Sequence, residues 1–424
     1  MSVPRIAALL AGALLAAAPA HADEAFDVSS YEKKPFELTG FVELRPEQQW
    51  LRRDAAGYLL QFPGQTRGTM GRTGEALEVS GVLRRQSLAF RFTGHAGWSD
   101  DARGSDADAR MYEAYAGWQA DERTNVELGK RALRWGKGYA WSPTAFLERA
   151  KDPSDPELAR EGFVMATAGW VRSFDAALQT LAINAALVPT TSGLNGDFGP
   201  AGHLNPAIKL YGLVFDTDVD LLWAGRGSRG ARFGADFSRN LGSNLEVHGE
   251  WARTADAPQA LLTTGNALAT HRRDSSSALL GLRYLTERDT TVIFELYRNG
   301  GGYSEGELAR FFDLARASAG QPALLQPALR AAAAGYNRPN AARRYAYLRV
   351  SQKEPFDILD FTPSATVIAN ATDRSYTLIP ELLYTGVRNL ELRVRMAFNR
   401  GNAATEFGEK PVRSRLEVRA RYFF

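Results

Sequence analysis

The chain has 424 residues, a formal net charge of +3 and no cysteine, and its mean hydropathy is −0.29. The small charge without a nucleic-acid motif argues against nucleic-acid binding, and the absence of cysteine excludes disulfide bonds. The negative hydropathy excludes a bundle of membrane-spanning helices, because such helices need long apolar segments.

The first residues have the pattern of an export signal. A basic region ends at Arg5, an apolar run covers residues 6–18, and Ala20-His21-Ala22 forms a small-x-small cleavage site. The apolar run is shorter than the ~20 residues that a helix needs to cross a bilayer. The sequence therefore predicts a cleaved signal peptide over residues 1–22 and an exported domain over residues 23–424.

Alternating apolar and polar residues begin soon afterwards and recur along the whole chain. In the first such run, 36–50, Phe36, Leu38, Gly40, Val42 and Leu44 fall on one face, while Glu37, Thr39, Glu43 and Arg45 fall on the other. Further runs predict strands near 75–85, 87–99, 109–120, 123–133, 162–173, 176–189, 206–216, 218–226, 230–241, 243–255, 275–287, 290–300, 341–353, 357–371, 374–388, 390–401 and 412–424. The total is about 18, an even number typical of single-chain bacterial barrels.

The predicted connections alternate between short and long. Tight turns fall at Arg85-Gln86, Asp121-Glu122, Phe174-Asp175, Leu241-Gly242, Arg288-Asp289 and Arg388-Asn389. Long segments fall at 52–74, 134–161, 190–205, 256–274, 301–340 and 402–411. Short periplasmic turns and long extracellular loops are the expected asymmetry of an outer-membrane barrel.

The last strand supports the same fold. Leu416, Val418, Ala420, Tyr422 and Phe424 share one face, and charged residues occupy the other. A terminal Phe after alternating apolar residues resembles the C-terminal signal that the barrel-assembly machinery reads in bacterial outer-membrane proteins. We therefore expect an all-β protein: a transmembrane antiparallel β-barrel of about 18 strands in the bacterial outer membrane, with partly helical extracellular or inward-folded loops. Its expected partners are outer-membrane lipid and, through the Phe424 strand, that machinery.

Arginines dominate the predicted lumen near the closure of the barrel. The lumen and selectivity candidates are Arg45, Arg91, Arg131, Arg349, Arg393, Arg395, Arg413, Arg415, Arg419 and Arg421. Guanidinium groups hold carboxylates and phosphates, so an anionic solute is one interpretation. The alternative is a salt-bridge lattice with Glu37, Glu43, Glu78, Glu391 and Glu417, and a more acidic opposite wall is expected from Asp218, Asp220, Asp236, Glu246 and Glu250. The two interpretations are compatible, because opposed walls create a transverse field.

The segment 134–161 is a candidate constriction loop. Ser142-Pro143 and Asp155-Pro156 each have the pattern of an N-cap followed by Pro at the first helical position. Its candidate solute contacts are Trp135, Lys137, Tyr139, Trp141, Arg149 and Lys151, since aromatic faces beside cations suit sugar rings or anionic carbohydrates. The alternative is a loop packed on the rim by its own aromatic residues, such as Phe146.

The segment 301–340 predicts helices. Ser304 and Glu307 form a capping-box pattern before Leu308, and an alanine-rich second helix is expected after Pro327. A lid or plug over the mouth and an exposed helical hairpin are the two interpretations.

The stretch 125–138 resembles a segment of alginate-export-type outer-membrane barrels, in which Gly-Arg-Gln precedes an aromatic-Gly pair. Gly129, Lys130 and Arg131 precede Trp135 and Gly136 here, so Lys and Arg stand where the pattern has Arg and Gln. The resemblance covers about 15 residues closely, and it implies a porin-like channel for an anionic solute or polysaccharide more strongly than it implies alginate.

Two other classes of function compete with a channel. An outer-membrane enzyme is disfavoured, because Gly302, Ser304 and Gly306 match Gly-x-Ser-x-Gly without an α/β-hydrolase pattern. Glu246, His248 and Glu250 share a strand face, but a lumen wall explains them better than a metal site, so no metal or cofactor is expected. A plugged or scaffolding barrel in an export or electron-transfer complex stays open, as does the oligomeric state.

Overall fold

A computed structural model describes residues 34–156 and 161–424, so the predicted signal peptide lies outside the described residues. Eighteen strands make up most of the structure. They are β1 Phe36–Leu51, β2 Thr69–Arg85, β3 Leu88–Asp101, β4 Gly104–Gln119, β5 Thr124–Arg131, β6 Phe163–Ser173, β7 Leu178–Thr190, β8 His203–Val214, β9 Thr217–Ala224, β10 Arg232–Asn240, β11 Leu245–Leu262, β12 Leu268–Leu285, β13 Thr290–Arg298, β14 Arg344–Gln352, β15 Phe361–Asn370, β16 Ser375–Val387, β17 Leu390–Arg400 and β18 Val412–Phe423.

The strands close into one antiparallel barrel. Each strand pairs with the next along the chain, and β18 pairs with β1, where Glu43 lies opposite Arg421 and Leu44 opposite Ala420. Closure leaves no free sheet edge, which satisfies the backbone hydrogen bonds without water. The predicted all-β barrel of about 18 strands is confirmed.

The two faces of the wall differ as the alternation predicts. On β1, Phe36, Leu38 and Leu44 are about half exposed on the outside, whereas Glu43 and Glu47 are buried inside. The outside of the other strands carries further exposed apolar side chains, including Trp118, Leu128, Trp251, Leu280 and Leu382. An apolar outside and a polar inside suit a barrel surrounded by lipid.

The two ends of the barrel also differ. The tight turn between β16 and β17 uses Asn389 at φ +62°, and such turns gather at one end, which we call the turn end. The long connections gather at the opposite, loop end, where the connections 102–103 between β3 and β4 and 371–374 between β15 and β16 are short exceptions. The predicted loop 256–274 is wrong in length: β11 and β12 extend through it, and residues 263–267 alone connect them. Residues 256–274 lack the alternation of apolar and polar residues that predicts a strand, because a hairpin that projects past the lipid needs no apolar face.

Three α-helices lie at the loop end: α1 (Ala56–Gln61), α2 (Glu305–Gly320) and α3 (Leu325–Ala331). Helix α2 has the predicted capping box, in which the Ser304 hydroxyl accepts from the Glu307 N–H and the Glu307 carboxylate accepts from the Ser304 N–H. The second helix begins at Leu325, so its predicted start after Pro327 is wrong by a few residues. Pro in the first turn of a helix costs no hydrogen bond, which explains why Pro327 is tolerated there. Within residues 34–156 and 161–424, no helix is long and apolar enough to cross a membrane.

Candidate functional site

The connection from β5 to β6, residues 132–162, folds into the barrel, and we call it the inward loop. Its described part contains no helix, so the helix predicted to begin at Ser142-Pro143 is wrong. The Ser142 hydroxyl donates to the Gly138 carbonyl, and the N–H of Thr144 is bound by Glu250 of β11. Since wall carboxylates take the backbone donors, no helix is needed to satisfy them. The second predicted start, Asp155-Pro156, precedes residues outside the described part of the chain.

Glu250 holds residues 137–144 of the inward loop. Its Oε1 accepts from the backbone N–H of Lys137 at 2.7 Å and of Gly138 at 2.6 Å. Its Oε2 accepts from the Thr144 N–H at 2.9 Å and the Thr144 hydroxyl at 2.8 Å. Hydrogen bonds to an ionised acceptor are stronger than neutral ones, so a single carboxylate fixes this stretch of backbone against the wall.

Glu295 of β13 holds the neighbouring residues in the same way. Its two oxygens accept from the backbone N–H of Tyr139 at 2.5 Å and of Ala140 at 2.9 Å. His248 lies 3.0 Å from the same carboxylate through Nε2. The strand alternation identifies His248 and Glu250 but not the role of Glu295, because that role depends on a loop more than 150 residues away.

Further carboxylates surround this contact, and with Glu250 and Glu295 they form what we call the acidic wall: Asp220, Asp236, Glu246, Glu250 and Glu295. Asp220 is fully buried and pairs with Lys137 of the inward loop at 3.1 Å and with Lys209 at 2.9 Å. The Tyr139 hydroxyl donates to Glu246 at 2.8 Å. Asp218, which was also predicted here, accepts from the Tyr211 hydroxyl nearer the turn end.

The arginine wall lies further round the ring, from β14, next to the acidic wall, to β17, β18 and β1. It consists of Arg45, Arg349, Arg393, Arg395, Arg415, Arg419 and Arg421 on β1, β14, β17 and β18. Its arginines are paired: Arg395 lies 2.6 Å from Glu381, Arg419 2.9 Å from Glu417, and Arg421 2.6 Å from Glu43. The arginines were identified from the strand alternation, whereas Glu381 was missed.

Asp155 of the inward loop completes the arginine wall. Its carboxylate lies 3.1 Å from Arg419, 3.5 Å from Arg395 and 4.0 Å from Arg393. Burial by itself raises the pKa of Asp155, but the charges of these arginines outweigh burial and hold the pKa below its ordinary value. The inward loop therefore spans the lumen from the acidic wall to the arginine wall.

The charges of the arginine wall nearly cancel. Within the described residues, seven arginines face six carboxylates, which are Glu43, Glu47, Asp155, Glu381, Glu391 and Glu417. The geometry agrees with the salt-bridge alternative considered for these arginines. A buried lattice of this kind orients its members but leaves little net potential along its own surface.

The other predicted lumen arginines lie elsewhere. Arg131 pairs with Glu127 and lies over the Tyr115 ring, and Arg91 also approaches that ring at 5.8 Å. Arg413 is exposed at the loop end. These three residues are not part of the arginine wall.

The aromatic residues of the inward loop are packed. Trp141 is 7% exposed and stacks on Tyr297 at 5.1 Å between ring centroids. Trp135 is 6% exposed and belongs to a second apolar cluster with Phe146 and Phe163. Covered rings offer no platform for a sugar, so these indoles serve to seat the inward loop. Arg149 likewise faces Phe163 and pairs with Asp197.

Open space remains on both sides of Asp155. A cavity of about 470 Å³ lies toward β1–β4 and is lined mainly by charged residues of both signs. A second cavity, of about 300 Å³, lies toward β13 and β14. Its charged lining residues are Lys137, Lys151, Asp155, Arg349, Arg393 and Arg395. We call the second one the cationic cavity, since among the described residues five basic side chains meet one carboxylate there.

The connection from β13 to β14, residues 299–343, covers the loop end, and we call it the helical cap. Leu308, Phe311 and Phe312 of α2 are buried in one apolar cluster with Trp141 of the inward loop and Phe407 of the last connection. Arg310 donates to the Leu262 carbonyl at the tip of β11. The helical cap is therefore packed against other segments of the loop end. These contacts agree with the lid interpretation, and the surface-exposed helical hairpin stays the alternative.

The sequence matches no protein-family profile and no curated relative. Solved structures with a similar fold include two engineered variants of the Rhodopseudomonas blastica porin, with TM-scores of 0.46 and 0.45 and identities of 11% and 12%. An engineered protein studied for asymmetric conductivity has a TM-score of 0.44 at 12% identity. In each case the match covers 92% of this chain and 100% of the other. At these scores nothing about activity is carried over, and membership of the alginate-export family stays a prediction.

Proposed function

We propose that the protein is a solute channel of a bacterial outer membrane, with its bore set by the inward loop. The observation that carries the proposal is the double attachment of this loop, to Glu250 and Glu295 on one side and to Arg419 and Arg395 on the other. A loop held across a polar lumen narrows the passage, and the cavities on both sides of Asp155 support a path for solute beside it. The apolar outside of the barrel supports placement in lipid.

For the solute, we propose a small anion. The support for this choice is the cationic cavity, where Lys151 of the inward loop adds a positive charge beside the nearly neutral arginine wall. A carboxylate or phosphate passing there meets Lys151 and Arg349 together with the neighbouring arginines. In this proposal the channel recognises a carbohydrate only by its acidic groups, because the rings of Trp135 and Trp141 are buried and cannot stack on a sugar.

The test is single-channel recording of the purified protein in a planar bilayer under a salt gradient. We expect conductance steps whose reversal potential favours anions, and a weaker preference in Arg349→Gln, because that change removes a partly exposed cation from the cationic cavity. Arg91→Gln is the control: it neutralises an arginine of β3 that does not line this cavity. An equal shift in both variants would contradict the proposed path.

A second candidate function is a plugged or scaffolding barrel. The helical cap supports it, because its apolar contact with the inward loop and Phe407 covers the mouth. Silence in the bilayer, from protein whose folded barrel is shown by heat-modifiable gel mobility, would favour this candidate over the channel. Conductance steps would favour the channel.

A further inference from the structure

A cavity at the loop end combines many cations with few anions. It measures about 610 Å³ and lies between the start of the β1–β2 connection, helix α2 and the β17–β18 connection. Five arginines line it: Arg52, Arg53, Arg316, Arg400 and Arg413. Asp54 and Glu409 are the two carboxylates among its lining residues. We call it the mouth cavity.

Two of the five arginines have structural contacts. Arg52 donates to the Asn399 carbonyl at 3.0 Å and also to the carbonyls of Phe407 and Gly408. Arg316 pairs with Glu409, whose carboxylate also accepts the N–H of Ala56 at 2.7 Å. These contacts hold the walls of the mouth cavity in place.

The other three arginines retain unused donors. Arg53 donates to the Thr66 carbonyl at 3.4 Å, and Arg400 donates to the Asn399 carbonyl at 3.2 Å. In the described part of the chain, no carboxylate forms an ion pair with Arg53, Arg400 or Arg413. Since a guanidinium carries five N–H donors, most of theirs remain open to a ligand.

Like charges lie close together in the mouth cavity. Burial lowers the pKa of Arg52, and the positive charges of Arg413 and Arg400 lower it further, against the opposing effect of Asp54. A bound anion reduces the electrostatic repulsion between such charges. Several guanidinium groups around one point suit an anion with many oxygens. The volume lies within the ~300–1,000 Å³ of typical ligand pockets.

We propose that the mouth cavity is a binding site for a phosphate-type anion. Arg53, Arg400 and Arg413 bind its oxygens, and Arg52 and Arg316 shape the site. The phosphate belongs either to a solute that approaches the channel or to a lipid headgroup at the rim of the barrel. The proposal does not depend on conduction, because the cavity is separate from the inward loop.

Titration calorimetry tests this proposal. It measures the binding of inorganic pyrophosphate to the full chain in detergent at low ionic strength. The combined variant Arg53→Gln, Arg400→Gln, Arg413→Gln should bind at least about tenfold more weakly, since three exposed charge pairs are lost. The matched control neutralises Arg85, Arg288 and Arg388, three exposed arginines near the turn end, and should bind like the unchanged protein. Equal binding by both triple variants, or equal loss, overturns the proposal.

A second titration, with lipid A and with its dephosphorylated form in mixed micelles, distinguishes a lipid headgroup from a phosphorylated solute. Binding of lipid A that requires its phosphates and the three arginines supports a lipid headgroup. Binding of pyrophosphate alone supports a phosphorylated solute. If neither phosphate compound binds the unchanged protein, the mouth cavity is not an anion site.

Discussion

Asp155 joins the inward loop to the arginine wall, and its carboxylate is the charge that the described part of that loop contributes to the wall. Replacing it by Asn leaves seven arginines facing five carboxylates and weakens three ion pairs at once. We expect Asp155→Asn to raise single-channel conductance and open-state noise, because the loop loses its second attachment. The reversal potential should shift toward anions.

The matched control is Asp152→Asn in the same loop. Asp152 is exposed, and its carboxylate accepts from the Ser154 N–H and hydroxyl, a role that the Asn side-chain oxygen also performs. This control should leave conductance unchanged. Identical recordings from both variants would show that the loop does not set the bore.

The same contact predicts a pH dependence. The pKa of Asp155 lies below its ordinary value in the folded protein, so its stabilising effect is complete above the unfolded value, near ~3.9. That effect disappears as the pH falls through the lower, folded value. We expect the difference in conductance between the unchanged protein and Asp155→Asn to persist from pH 7 to about pH 4 and to disappear as the pH falls further, through the lower, folded pKa of Asp155. A difference that disappears near pH 6 would contradict the assignment.

At the level of elements, strands were predictable and loop contacts were not. The alternation placed all 18 strands, because every residue of a strand in a lipid-embedded wall faces either lipid or lumen. The inward loop contacts residues distant in sequence, such as Glu295 and Arg419, and no local pattern encodes those pairs. Its Pro residues suggested helix starts, but the wall carboxylates bind the backbone donors that a helix would have used.

The helical cap gives a prediction at this scale. Ser304→Ala removes one half of the capping box of α2 and should destabilise that helix by about 1 kcal/mol. Trypsin should then cleave faster within the cap, at Arg310 or Arg316, while the barrel stays intact. Ser304→Thr keeps the hydroxyl and should resist trypsin like the unchanged protein. Equal cleavage of all three proteins would mean that the cap opens without unfolding α2.

For the whole molecule, the contact that closes the barrel is the pairing of β1 with β18, which we call the seam. Gly40 and Phe424 exchange backbone hydrogen bonds at 3.0 Å in both directions. A Cβ at Gly40 would lie 2.4 Å from the Glu78 carbonyl oxygen and 2.6 Å from Cζ of the Phe424 ring. The terminal aromatic residue therefore packs over a glycine on the outside of the barrel, where the first strand meets the last.

Gly40→Val should therefore weaken closure, because the ring must leave its position and the β1 backbone must shift. We expect the folded form to convert to the unfolded form in gel mobility assays at a temperature a few degrees lower. Gly212→Val is the control, since a Cβ there has its nearest neighbours at 3.6 Å, an ordinary contact distance. Equal conversion temperatures for the two variants would show that the seam tolerates displacement of Phe424, and that stability is distributed evenly around the ring.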